Sequence, residues 1–366
     1  MGKDNQNNAD ATNSAYIYGA AVSASWADAS LSLTDLIFEG VTAALKDAGM
    51  SISAADSIVL SAHDLIDGRS LSSMVTAPAA GAYLRDEIRL SEDGLAAMSL
   101  AAARVEAGES EVSVVAAWGR ASEGDFLATS RVAMDPFTQQ PLGMSEMDIS
   151  AFRLSRWMTK HGVATPARAA ALQAQKKRAK TNPNALSAQS VAHPVSFPVH
   201  ADEGPKWADV VVAVIIGKKP SGVRVTGVGH STDMTQVGDR DLLAMPALRD
   251  AAKSALSDAD LDLKDISIFE VDGMTLSDEA IAIEALGLCS AGEGFKSVSQ
   301  DSRINLSGGS QAGWCYPAMG LVRLSEAYLR MRDKSKEPTG ERKFALVTGQ
   351  GAGGGQTSTA IILEAK

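Results

Sequence analysis

Cysteine, histidine and aromatic side chains are scarce in this chain. Its 366 residues include two cysteines, five histidines and only 5% aromatics. Cys289 and Cys315 form no CxxC pair and no Cys/His cluster, so neither structural zinc nor a disulfide framework is implied. No apolar run approaches the roughly 20 residues that a membrane span needs. Residues 1–14 are polar and lack the apolar centre of a signal peptide. Positive charge is also short. The formal net charge is −10, and Lys176, Lys177, Arg178 and Lys180 form the one strong basic cluster, which argues against a nucleic-acid partner. The expectation is a soluble, cytoplasmic protein with a disordered tail over 1–14.

Alanine and glycine are abundant, and 45% of residues are apolar. That suits helices packed closely on a sheet. An internal repeat organises the chain. A strand at 16–20 opens the first half and one at 223–228 opens the second. An amphipathic helix follows each, over 36–45 and from Pro246 to 256, with Pro246 suited to a first-turn position. Short apolar strands come next at 57–60 and 266–271. Long helices then span 94–107 and 318–331, followed by strands at 112–117 and 344–348. Each half closes on a further apolar strand, 210–216 and 360–363. The order β-α-β-α-β-β occurs twice and implies mainly parallel sheets covered by helices. Residues 120–206 interrupt the first half with helices near 147–160 and 166–180.

Three glycine-framed stretches stand out in the second half: Asn-Leu-Ser-Gly-Gly at 305–309, Gly-Trp-Cys-Tyr-Pro-Ala-Met-Gly at 313–320, and Gly-Ala-Gly-Gly-Gly at 351–355. This framework resembles the thiolase superfamily, especially its sterol-carrier-protein-2 thiolase branch. Thr-Asn-Pro-Asn-Ala at 181–185 and the run at 207–216 extend the likeness over nearly the whole chain. The resemblance implies an α/β fold of two thiolase-like halves, 15–217 and 221–366, forming a five-layer α-β-α-β-α sandwich. It also implies that the insertion at about 120–206 is a loop domain over the pantetheine arm of coenzyme A.

The residues between the glycines do not follow the family. Thiolases place their nucleophilic cysteine where this chain has Ser91, ahead of Gly94. A serine is a poor nucleophile without a base; Ser91 equally suits a helix N-cap, with Glu92 and Asp93 in the first turn. The family histidine falls at Trp314, whose indole donates one hydrogen bond and shuttles no proton. Beside it, Cys315 is either an activated thiol or a small buried apolar residue. Tyr316 is either a general acid/base or a packed tyrosine. The final cysteine maps to Gly351. The run Gly351, Gly353, Gly354 and Gly355 lets backbone approach a ligand and offers N–H groups to an oxyanion. Asp272 stands where the family holds its enolate-binding Asn or His, and is either a base or a turn aspartate. Asp278 and Glu279 read as solvated positions on the next helix. His63 lies in a polar loop with Asp67 and Arg69; His161, His193, His200 and His230 are scattered.

Three functions fit this pattern. In the first, the protein acts on acyl-CoA without a cysteine acyl-enzyme, by retro-aldol cleavage. Tyr316, Asp272 and the glycine loop supply the chemistry, and the resemblance implies a small OB-fold (DUF35-type) subunit as the partner. In the second, it is a non-catalytic subunit paired with a thiolase paralogue. In the third, it is a conventional acyltransferase using Cys315 or Ser91. Lys176 and Lys177 either hold the CoA phosphates or form a solvated helix face. The first two readings expect a homodimer or heteromer, and no metal is expected.

Overall fold

The computed structural model describes residues 14–28, 30–66, 73–186, 188–189, 195–332 and 343–365. The expected tail lies outside these residues except for Ser14, which is buried.

The first half runs β1 (Tyr16–Ser25), α1 (Leu33–Asp47), β2 (Ser57–Ser61), α2 (Ser73–Ala79), β3 (Asp86–Leu90), α3 (Gly94–Glu106) and β4 (Val112–Arg120). The insertion carries α4 (Phe126–Ala133), α5 (Glu146–His161), α6 (Thr165–Thr181) and the two-residue β5 (Ala188–Gln189), and β6 (Trp207–Gly217) closes the half. The second half runs β7 (Val223–Thr232), α7 (Pro246–Asp258), β8 (Ile268–Glu270), α8 (Leu276–Ala285), α9 (Gly294–Gln300), α10 (Met319–Arg332), β9 (Phe344–Gln350) and β10 (Thr357–Ala365).

The strands pair in the order β3-β2-β4-β6-β1-β7-β10-β9-β8. Within the sheet the two halves join through the short β1–β7 pairing, Tyr16–Arg224 and Ile17–Val223, and the sheet folds over at that seam. Helices α3 and α10 pack against each other and against strands of both halves, forming the central layer. Helix α1 covers the outer face of the first half and α7 that of the second. The result is the five-layer sandwich.

Strand β6 shows why. Every residue in it is buried. With a side-chain period of two, Val210, Val212, Val214 and Ile216 join the central core. Val211, Ala213 and Ile215 pack with Leu36, Ile37 and Val41 of α1. A strand covered on both faces must be a continuous apolar run, and this one is.

The sheets are less parallel than the alternation implied. Strand β6 enters antiparallel between β1 and β4, and β10 antiparallel between β7 and β9. The cause is the connection. Only a few residues separate β9 from β10, too few for the crossover that a parallel pair requires. In the first half the corresponding connection has expanded into the insertion.

Two local readings also change. Helix α3 is capped by Asp93, whose carboxylate accepts the Leu95 N–H at 2.9 Å, while Ser91 is exposed two residues before the cap. Asp278 and Glu279 lie on α8 as expected but are buried. The insertion helices dock there: Arg153 of α5 pairs with Asp278, and Gln175 of α6 donates to Glu279. Among the described residues no helix is long and apolar enough to cross a membrane.

Candidate active site

Three segments converge where the insertion meets the second half. The turn after β8 brings Asp272. The segment before α10 brings Trp314 and Tyr316. The glycine loop between β9 and β10 brings Gly351, Gly354 and Gly355. Together with Phe126, Glu146 and Arg153 they line one cavity of about 40 Å³. That is room for a few waters, not an acyl chain.

Asp272 is held by its backbone and one carboxylate oxygen. Its N–H donates to Thr348 Oγ1 at 3.0 Å, and Oδ2 accepts the Gln350 N–H at 3.3 Å. Oδ1 is buried without a hydrogen-bond partner. Burial raises the carboxyl to about 6, against the opposing pull of Arg323. Asp93 is its neighbour in charge. Burial and then Asp272 itself push the Asp93 carboxyl up, so these two resist ionising together.

Tyr316 is buried, and its phenol oxygen accepts the Ala352 N–H. Burial raises its pKa well above the usual tyrosine value, and the carboxylates of Glu92 and Asp93 add to the rise. At neutral pH it is therefore a phenol, able to donate a proton but poorly suited to accept one.

Trp314 stands edge-on to Phe126 and to Trp207, with ring centroids 5.2 and 5.4 Å apart. Its main chain is pinned to the start of β6, donating to Lys206 O at 2.7 Å. The indole N–H is buried with no acceptor. An unpaired donor and an unpaired acceptor, Trp314 Nε1 and Asp272 Oδ1, thus line the same small cavity.

The glycine loop is internally ligated. Gly353 and Gly354 both have positive φ, at 73° and 67°, which turns their N–H groups the same way. They donate to the two carboxylate oxygens of Glu146, the second at 2.6 Å. On the carbonyl side, Arg240 donates to Gly353 O and Arg153 to Gly354 O at 2.9 Å. The amides expected to face a ligand face a side chain of the insertion. Burial raises the Glu146 carboxyl, against these two N–H bonds.

A groove of about 730 Å³ opens outside this ring, between Gln139, Leu142 and Phe152 of the insertion and the loop of Gln236, Arg240 and Leu242. A void of about 10 Å³ lies between groove and cavity, bordered by Arg153, Arg240, Leu242, Gly354 and Gly355.

The other residues singled out in the sequence lie elsewhere. Ser91 is exposed and lines neither cavity. Cys315 is buried against β4, where a Cβ on Gly119 would lie 2.5 Å from its Sγ. Lys176 sits 3.7 Å from Asp202 and Lys177 is exposed; neither lines the groove. Arg178 turns inward, onto the carbonyls of Val298, Asp301 and Ile304. His63 is half-buried, and burial lowers its pKa. Asp67, Arg69 and His193 lie outside the described residues. Glu92 and Glu146 are the groups that sequence reasoning passed over. Glu92 read as an ordinary helix-start acid, Glu146 fell just before the helix expected from 147, and no spacing in the chain distinguished either.

Residues 229–365 match the thiolase C-terminal domain-like family. Comparison with curated protein sequences finds no match. Among solved structures, a Ltp2-ChsH2(DUF35) aldolase aligns with a TM-score of 0.79 at 20% identity, over 96% of this chain and 98% of that one. Human mitochondrial 3-ketoacyl-CoA thiolase aligns with a TM-score of 0.72 at 16% identity, over 97% and 99% respectively. Both likenesses are of fold. The fold is thiolase-like over the whole chain, and residues 229–365 carry the sequence pattern of the C-terminal domain-like family.

Proposed function

We propose that this protein cleaves a carbon–carbon bond of a β-hydroxyacyl-CoA thioester by a retro-aldol route, without an acyl-enzyme. One observation carries the reading: Asp272, Tyr316 and the glycine loop share a cavity in which Asp272 Oδ1 is buried and unpaired. Retro-aldol cleavage needs a base for the hydroxyl and a donor for the enolate, and no nucleophile. Asp272 is the base, with its carboxyl near 6. Tyr316 is the donor. The 730 Å³ groove receives the pantetheine arm. The chemistry begins once Glu146 leaves the Gly353 and Gly354 amides to the thioester oxygen.

The likeness to an aldolase named with a DUF35 component supports a small subunit of that kind as the partner. The test is incubation with a panel of 3-hydroxyacyl-CoAs, with and without such a subunit, reading the release of a shorter acyl-CoA and a carbonyl product. Product that disappears in Asp272→Asn and Tyr316→Phe is expected. No product under either condition overturns the proposal. A non-catalytic subunit is the second reading, and the 40 Å³ volume beside Trp314 favours it. That reading predicts no turnover and unchanged partner binding in both variants.

A further inference from the structure

Gly351 poses a question of space. Its φ of −73° and ψ of 173° suit any residue, so the backbone does not require glycine. The side-chain position does. A Cβ there would lie 2.5 Å from Glu92 Oε2 and would also overlap Thr357 Oγ1. The Glu92 carboxylate is held in that seat by the Thr357 hydroxyl, which donates to Oε2 at 2.8 Å. Its backbone is fixed on the other side, where Ser61 Oγ donates to Glu92 O at 2.5 Å. The adjacent loop residue, Ala352, donates its N–H to the Tyr316 phenol. Consecutive Cα atoms are about 3.8 Å apart, so carboxylate and phenol stand over neighbouring residues of one loop. Glu92 is only half-buried, whereas Tyr316 is closed off from solvent.

We propose that Glu92 is the proton partner of Tyr316. Housed where residue 351 has no side chain, it passes protons between solvent and the phenol. This rests on the lyase reading above. In the cleavage, the β-hydroxyl proton goes to Asp272. The C2–C3 electron pair passes into the thioester enolate as the carbonyl product forms, and the enolate carbon takes the phenolic proton. The Glu92 carboxylate then takes a proton from water and passes it to the tyrosinate, while Asp272 returns its proton to solvent. Other charges face this pair. Asp93 and Glu146 act on the phenol. Glu92 faces His63, which Asp64 and Arg89 also influence. Glu92 is a relay acting through Tyr316, not a group on the substrate.

The experiment compares Glu92→Gln, Glu92→Asp and Gly351→Ala in the full chain with its partner subunit. Glu92→Gln should lower kcat by about 100-fold with KM little changed. Glu92→Asp should recover part of that loss. Gly351→Ala keeps the glutamate but fills its seat, and should fall to the level of Glu92→Gln. Phenolate absorbance gives a readout that needs no turnover: the signal lost in Tyr316→Phe should appear at lower pH in Glu92→Gln. Wild-type kcat in both Glu92→Gln and Gly351→Ala, or an unmoved phenolate titration, overturns the relay and leaves the lyase reading standing. A wild-type chain that cleaves no 3-hydroxyacyl-CoA with its partner overturns both.

Discussion

Glu146 is the buried carboxyl on which the glycine loop closes. It links the insertion to the glycine loop through the Gly353 and Gly354 amides. Glu146→Ala leaves two buried N–H groups without an acceptor. Each unpaired donor costs about 1–3 kcal/mol, so a loss of roughly 2–6 kcal/mol is expected in urea unfolding. The loss should be reversible by an external anion, because the emptied amides remain flanked by Arg153 and Arg240. Acetate or formate at ten times its Kd would restore about 1.4 kcal/mol, where chloride at equal ionic strength restores less. The pH dependence has a definite sign. Burial raises the Glu146 carboxyl above its usual value. Its contribution is therefore greatest below the ordinary carboxylate range and declines as pH rises through the raised value. The gap between wild type and Glu146→Ala should narrow in that direction. Glu146→Ala as stable as wild type, or a deficit that acetate does not touch, would show that the Glu146 carboxyl does not hold these two amides.

Three further outcomes follow from the same geometry. Asp272→Asn removes a buried carboxyl raised from 3.8 to about 6, a shift worth about 3 kcal/mol. Wild-type stability from this group is complete below pH 3.8 and lost as pH climbs through about 6, so thermal scans should show the variant gaining on wild type above that pH. Trp314→Ala should cost about 3–5 kcal/mol and open the cavity beside Tyr316, with acyl-CoA affinity by calorimetry rising if the indole blocks it. Arg323→Met removes the cation whose charge opposes the rise of Glu270, Asp272 and Glu279. It should destabilise by about 3–5 kcal/mol near pH 8, and by less at pH 5, since Glu279 titrates at about 7.

Much of this fold was readable from periodicity alone. The apolar run at 210–216 is a doubly covered strand, and Pro246 opens α7. The antiparallel entry of β10 was also legible, because the few residues between it and β9 leave no room for a crossover; the alternation drew attention away from that gap. Burial of Asp278 and Glu279 was not legible. Both sit in an acidic first turn preceded by a Thr275 cap, the pattern of a solvated helix start. What buries them are Arg153 and Gln175, 125 and 104 residues away in sequence. Glu146 was hidden in the same way, beside a Ser145–Asp148 capping box that accounts for acids at a helix start. Sequence locates a carboxylate on an element. Only the docking of the insertion says what it faces.

The energetic pattern at the cavity bears on the choice between the proposed lyase and a non-catalytic subunit. A subunit that only presents a dimer face gains nothing from Asp272 Oδ1 and Trp314 Nε1, both buried and unpaired. Each costs about 1–3 kcal/mol, and apolar replacements of similar shape would relieve that cost. The surroundings add to it: Asp93, Asp272, Glu146 and Glu279 all carry carboxyls raised by burial. Arg153 and Arg323 supply nearby positive charge, Arg153 paired with Asp278 and Arg323 beside Glu279. Two of these acids, Asp272 and Glu146, line the cavity of about 40 Å³, an arrangement that costs a scaffold stability and that the proposed lyase would use for proton transfer. Glu146, Arg153 and Arg240 bridge the insertion, the glycine loop and the segment after β7, so displacing one carboxylate from two amides would release the constriction between groove and cavity together with the oxyanion donors.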